Sequence, residues 1–289
     1  MLTLKSALIC TSLLAALAGC ATLPSPSSTA GNTPEAATDT DSVAQATPFD
    51  YSDYADLLST FVDDEGMVNY PGLQVNAERL KAFNATLGEV SSSQFDAWSE
   101  AEQIAFLTNA YNAFTLESII DQQPIKSSIR DIPGVWRGRQ FRVAGQLKTL
   151  DNIEHQTLRP NYNEPRIHAA LNCSAISCPV LRTEPYTGEQ LDAQLEEQVQ
   201  RWVDSPEGLQ IDREANRVMI SQIFDWFGED WIADYAVAEG EGFAGNEKQR
   251  ATLNFISQYA TEGDRTYLQQ GDYSVSYINY NWDLNIQPR

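Results

Sequence analysis

Histidine is the scarcest catalytic residue type in this chain, with His155 and His168 the only two among 289 residues. Any mechanism that needs an imidazole near neutral pH must use one of them. Cysteine is nearly as rare, with four: Cys10, Cys20, Cys173 and Cys178. Positive charge is also thin. Nineteen Lys and Arg stand against 40 Asp and Glu, for a formal net charge of −21. Affinity for phosphate backbones comes from Lys and Arg, so nucleic acid is excluded as an expected partner and anionic headgroups are disfavoured. No apolar run after the N-terminus reaches the roughly 20 residues that a membrane-spanning helix needs. There is no internal repeat and no glycine-rich phosphate loop, and no cofactor is expected. With 42% hydrophobic residues, the chain can still bury a sizeable core.

What is present begins at the N-terminus. "MLTLKSALICTSLLAALAGC" carries Lys5 and then an apolar stretch from Ala7 to Leu17, the length of a signal-peptide core. It ends in Leu17-Ala18-Gly19-Cys20, which resembles the bacterial lipoprotein signal, where cleavage before the cysteine frees it for lipid attachment. The resemblance implies a signal peptide over 1–19 and lipidation at Cys20. Ala at position 21, rather than Asp, implies the outer membrane, with the protein facing the periplasm. The segment that follows the cysteine, to residue 48, is Ser, Thr, Ala and Pro with no aromatic or basic residue. It cannot bury enough apolar surface to order itself, so a disordered tether over 20–48 is expected. Aromatics return at Phe49 and Tyr51, where a globular domain over 49–289 is expected to start. The membrane, reached through the lipid, is then one expected partner. An envelope ligand or protein is the other.

Within the domain, "YSDYADLLSTFV" and "NAERLKAFNATLGEV" read as helices and "EGMVNYPGL" as a strand. Ser99 and Glu102 form a capping box ahead of "AEQIAFLTNAYNAFTLESIID", and Pro124 prevents continuation. Ile104, Leu107, Tyr111 and Phe114 recur at helical spacing while Ala105, Phe106, Ala110 and Ala113 fill the other faces, which predicts a helix buried nearly all round. Asn109 and Asn112 share one face of it. Buried amides need partners, so they either clamp a neighbouring loop or form the polar wall of a site together with His155. "QFRVAGQLKTL" reads as a hairpin turning at Ala144-Gly145, and "TLDNIEHQTLR" as a short helix carrying Glu154 and His155. "RIHAALN" alternates like a strand, which would place His168 and Asn172 on one face and Cys173 just past its end. An amphipathic helix, a second hairpin, two further helices and a strand with an aromatic close complete the chain. Strands and helices do not alternate regularly, so the expected fold is α+β: a single domain with a buried central helix, short β-hairpins and strands, and several C-terminal helices.

Several segments in this order, "FLTNAYNAFTL", "GQLKTLDNIEHQTLR", "PRIHAALNCSAISCPVLR", "LDAQLEEQVQRWV", "ISQIFDWF" and "YNWDLN", resemble the domain of unknown function family numbered 547. The resemblance runs from about residue 99 to the C-terminus, with a family core over about 99–205. It implies an uncharacterised family and no established reaction.

The chemistry gathers in "RIHAALNCSAISCPVL". Three readings stand open. Cys173 is a thiol nucleophile with His168 as its base and Glu154 or Asn172 as the orienting group, with Asn109 or backbone N–H groups as oxyanion donors. Alternatively, Cys173 and Cys178 form a disulfide in an oxidising envelope and the domain is a non-catalytic binding or scaffold module. Trp136, Trp226, Trp231 and Trp282 would then line a groove, or fill the core. The Cys and His types also suit zinc, but their spacing matches no standard finger, and no metal is assigned.

Overall fold

The computed structural model of the chain describes residues 47–288. The expected signal peptide, the lipidation site Cys20 and nearly all of the expected tether lie outside the described residues. At Thr47 the chain is already docked, because the Trp98 indole N–H donates to its carbonyl at 3.0 Å.

Helix α1 (Ser52–Phe61) buries Tyr54, Leu57, Leu58 and Phe61, a stripe at helical spacing. "EGMVNYPGL" is not a strand. It contributes only single bridges at Val68, and Tyr70–Val75 is a short helix started by Asn69, whose side chain accepts the Gly72 N–H. Pro71 at the start of that turn needs no hydrogen-bond partner, which favours a helix there over a strand. Helix α2 (Ala77–Glu89) packs Leu80, Phe83 and Leu87 inward.

Helix α3 (Glu100–Ile120) is the buried central helix that the sequence predicts, and no residue from Ile104 to Leu116 is exposed. Ser99 Oγ caps it by accepting the Glu102 N–H at 3.2 Å. The other half of the capping box is absent. The Glu102 carboxylate instead receives the N–H groups of Phe49 and Gly188, tying both segments to the helix start.

Strands β1 (Phe141–Val143) and β2 (Gln146–Lys148) form the expected hairpin. Ala144 and Gly145 both hold positive φ, at 48° and 72°, the geometry of a tight two-residue turn. Helix α4 (Leu191–Asp204) is amphipathic. Strands β3 (Leu209–Asp212) and β4 (Arg217–Ile220) pair antiparallel, and β5 (Ser274–Tyr277) adds to β4 in parallel. Between them, "SQIFDWFGEDWIADY" is broken into Ile223–Phe227, a 3₁₀ turn over Gly228–Trp231 and Ile232–Tyr235. Helices α5 (Glu247–Tyr259) and α6 (Glu262–Gln270) follow.

The fold is α+β, with two apolar clusters. One is built on α1–α3 and the β1–β2 hairpin. The other is built on α4, the second sheet, Phe224, Trp231 and α5. Trp231 is fully buried in the second cluster, so it is a core residue and not part of a groove. Among the described residues, no helix is long and apolar enough to cross a membrane.

Candidate functional site

The Asn109 and Asn112 side chains decide the path of two segments. Asn109 Nδ2 donates to the Tyr186 carbonyl at 2.7 Å and its Oδ1 accepts the Tyr186 N–H at 3.0 Å. Asn112 does the same across a residue, donating to Ala170 O at 3.0 Å and accepting Asn172 N–H at 2.8 Å. Each amide imitates a strand neighbour and satisfies buried backbone groups that nothing else on α3 would reach. Of the two roles that the sequence allows, both take the clamp. Neither lines the cleft described below, so Asn109 is not placed to serve as an oxyanion donor there.

"RIHAALN" is not a strand. Residues Ile167–Ala170 wind one helical turn and the chain extends at Leu171. The period-two alternation is accidental, because Ile167, His168, Ala169 and Ala170 are all buried and no face is solvated. Asn172 does not share a site face with His168. Its side chain donates to Pro179 O at 2.8 Å and accepts the Ser174 N–H at 2.9 Å, holding the Cys loop closed from inside. Ser174, at φ 59°, turns that loop.

The loop is fastened from the other side by the C-terminal segment. Ile176 N–H donates to Asp283 O and Ser177 N–H to Asn281 O, while Asn285 N–H donates to Ser174 O. The Ser177 hydroxyl accepts the Asn281 N–H at 2.8 Å. This pairing brings Tyr280 and Trp282 beside the cysteines.

Here a cleft of about 560 Å³ opens. Tyr111, Glu154, His155, His168, Cys173 and Cys178, together with Arg130, Arg137 and Asp151, supply its reactive and polar surface. One side is aromatic, formed by Trp136, Trp226, Phe227, Tyr280 and Trp282. Trp226 stacks on Trp282 at 5.7 Å between centroids, and Tyr280 lies 4.5 Å from Trp282. Three of the four tryptophans considered from sequence therefore do line a groove.

Cys173 and Cys178 are free thiols, so the expected bridge is not formed. The Cys178 sulfur accepts the Cys173 backbone N–H at 2.8 Å. Cys173 Sγ, partly exposed, lies 3.1 Å from Tyr280 Oη. Burial pushes the Cys173 thiol up, but hydrogen bonds from Cys178, Tyr280 and the Ala175 backbone outweigh it and hold the thiol below its ordinary value. Burial and the proton shared with Cys173 hold Cys178 well above.

His168 is oriented by Asp230, and neither Glu154 nor Asn172 fills that role. Its Nε2 lies 2.8 Å from Asp230 Oδ2, and its ring stacks on Phe227 at 4.7 Å and 7°. Arg159 holds the same carboxylate through Nε at 2.6 Å and Nη2 at 2.9 Å, a bidentate pair. Burial lowers the His168 pKa, against the hydrogen bond and charge of Asp230. Burial would raise Asp230, but His168 and Arg159 bring it down to about 2. Asp230 does not stand out in the sequence, where it is one of 40 acidic residues.

Glu154 opens a π-helical turn, Glu154–Leu158, inside the helix that begins after the Thr149 cap. Such turns often lie at functional sites. Burial raises the Glu154 carboxyl, against the opposing influences of His155, the Tyr111 hydroxyl and Arg159. His155 is the more exposed histidine, with Nδ1 3.8 Å from Glu154 Oε1 and 3.4 Å from Arg159 Nη1. Among the described residues, no group of three or more His, Cys, Asp or Glu is gathered to hold a metal ion.

Both shifts in the His168–Asp230 pair make the folded protein bind protons less readily than the unfolded chain. Stability is therefore complete above the ordinary histidine value of about 6.5 and falls as pH drops, first through His168 and then, between about pH 4 and about pH 2, through Asp230. Urea midpoints measured against pH should show this decline, and Asp230→Asn should flatten its lower part. An unchanged lower limb in the variant would mean that Asp230 is not depressed.

No curated protein and no solved structure matches the chain. The family match found covers less than half of the chain, and Asp230, Tyr280 and Trp282, with the segments "ISQIFDWF" and "YNWDLN", lie beyond it. Residues 95–203, which hold α3, Glu154, both histidines and both thiols, match the family model described as "Protein of unknown function, DUF547", and that is the family this chain is similar to.

Proposed function

We propose that the cleft is the active site of a thiol-dependent acyltransferase or hydrolase. The observation that carries this reading is the partly exposed Cys173 thiol, hydrogen-bonded to Tyr280 on the surface of an aromatic-walled cleft that also holds His168 and Glu154. A thiolate is the attacking species, and the neighbours of Cys173 favour it. Its sulfur attacks the carbonyl carbon of an ester or amide, a thioester forms, and the leaving group departs with a proton. Glu154, whose burial favours its protonated form, supplies that proton and takes one from the water that later cleaves the thioester. His168, fixed by Asp230, and Tyr280 set the polarity around the sulfur. The aromatic side receives the apolar or ring-bearing part of the substrate.

The proposal extends to location. The chain is exported, anchored by lipid at Cys20 in the outer membrane and turned toward the periplasm, where its substrate is an envelope component. Cys20→Ser should move the protein from the membrane fraction to the soluble one, and its retention in the membrane would refute the anchor.

The test of the chemistry is intact-mass analysis after exposure to an activated acyl ester such as p-nitrophenyl acetate. One acyl group should appear on Cys173. A second reading, a binding module without catalysis, is favoured by the stacked Trp226–Trp282 pair, with Trp226 37% exposed. It predicts quenching of tryptophan fluorescence by ligands with no acyl transfer to Cys173.

A further inference from the structure

Cys173 and Cys178 are not equivalent. Both border the cleft, but Cys173 is partly exposed while Cys178 is buried, with its sulfur against the Cys173 backbone and 3.7 Å from Leu171 O. The acyl-transfer reading gives Cys178 no part. Among the described residues these are the only two cysteines. They sit at the two ends of one short loop, and that loop is pinned on one side by Asn172 and on the other by the segment from Asn281 to Asn285.

We propose that Cys173 and Cys178 form a redox-active dithiol that exchanges with a low-molecular-weight disulfide entering the cleft. Cys173 thiolate attacks one sulfur of R–S–S–R. That S–S bond breaks, a first RS⁻ leaves, and a mixed disulfide remains on Cys173. Cys178 then gives up its proton and attacks the Cys173 sulfur, expelling a second RS⁻. Two protein thiols are oxidised to one disulfide, one external disulfide is reduced to two thiols, and the thiol protons leave with the products.

Three features support this assignment. The exposed thiol is the one held below its ordinary value, and the buried thiol is the one held above it, so the first attack belongs to Cys173 and Cys178 is the resolving thiol. The pinned loop has little conformational freedom left to lose, so ring closure costs less entropy than in a free chain. A cleft of about 560 Å³ suits a small disulfide and not a folded protein substrate. The proposal rests on the same reading of Cys173 as a reactive thiol, but not on acyl transfer.

The experiment treats the reduced full chain with 2-hydroxyethyl disulfide, followed by intact-mass analysis and peptide mapping. The wild type should lose two hydrogens in mass, show a Cys173–Cys178 linkage and release two mercaptoethanols per chain. Cys178→Ser, and independently Cys178→Ala, should stop at a stable mixed disulfide on Cys173 and release one. Accumulation of the mixed disulfide in the wild type, or equal labelling of both cysteines, overturns the proposal. So does a wild type that fails to react. If the wild type is acylated by p-nitrophenyl acetate but does not form the linkage, the redox assignment alone fails. If it forms the linkage but is never acylated, the acyl-transfer reading alone fails.

Discussion

Replacing Cys173 by serine will reduce acylation by p-nitrophenyl acetate at least about a thousandfold while leaving the fold intact. A serine hydroxyl is far less acidic than a thiol and is a weak nucleophile unless an adjacent base takes its proton. Here the side-chain hydrogen-bond partner of the Cys173 sulfur is the Tyr280 hydroxyl and not an imidazole, so the site is suited to an anion that already exists and not to a hydroxyl that must be deprotonated. Tyr280 Oη, 3.1 Å from the sulfur, stabilises such an anion. The substitution changes one atom in a partly exposed position, so its cost in stability should stay below about 1 kcal/mol, the ordinary range for mild changes. Single-turnover release of p-nitrophenol and intact mass, together with a urea midpoint, measure both. Wild-type acylation in Cys173→Ser, with the label found elsewhere, would remove Cys173 from the mechanism.

Asn112→Ala should produce a large loss of stability, about 2–6 kcal/mol. The amide satisfies two buried backbone groups, the Ala170 carbonyl and the Asn172 N–H. Each, once orphaned, costs about 1–3 kcal/mol. The same bonds end the one-turn helix that carries His168 and begin the loop that carries Cys173. The variant should therefore also alter the alkylation rate of Cys173. Asn109→Ala, which releases Tyr186 instead, should lose comparable stability with the Cys173 rate nearly preserved. A change below about 0.5 kcal/mol in Asn112→Ala, the range typical of surface substitutions, would show that the clamp contributes little.

The central helix was legible because its information is local. Ser99 caps it, and aromatic, aliphatic and small residues occupy every face. The β1–β2 hairpin was legible at Ala144-Gly145 for the same reason. The clustering of Glu154, His155, His168 and Cys173 could also be anticipated, since the chain has so few reactive residues, and all four do line one cleft. Their roles could not. The alternation in "RIHAALN" is a period-two pattern too short to distinguish a strand from a buried helical turn. Asn172, which that alternation places beside His168, instead closes a loop. Tyr280 and Trp282 reach the cleft, and Asp230 reaches His168, from distant segments, and no spacing rule links Asp230 to a histidine 62 positions away. The π turn at Glu154 leaves no mark in composition. The sequence admits a disulfide because two cysteines stand five positions apart. The structure keeps both thiols free and gives them different surroundings.

The fastening of the Cys loop by the C-terminal segment has a temporal consequence. A chain is made from its N-terminus, so Cys173 exists long before Tyr280, which follows 107 positions later. Until residues 281–285 arrive, Ser174, Ile176 and Ser177 have no partners for these backbone bonds and the thiol has no tyrosine beside it. The reactive centre is therefore assembled last. Until then the nascent chain carries an ordinary cysteine, and the tuned one appears only when the fold closes.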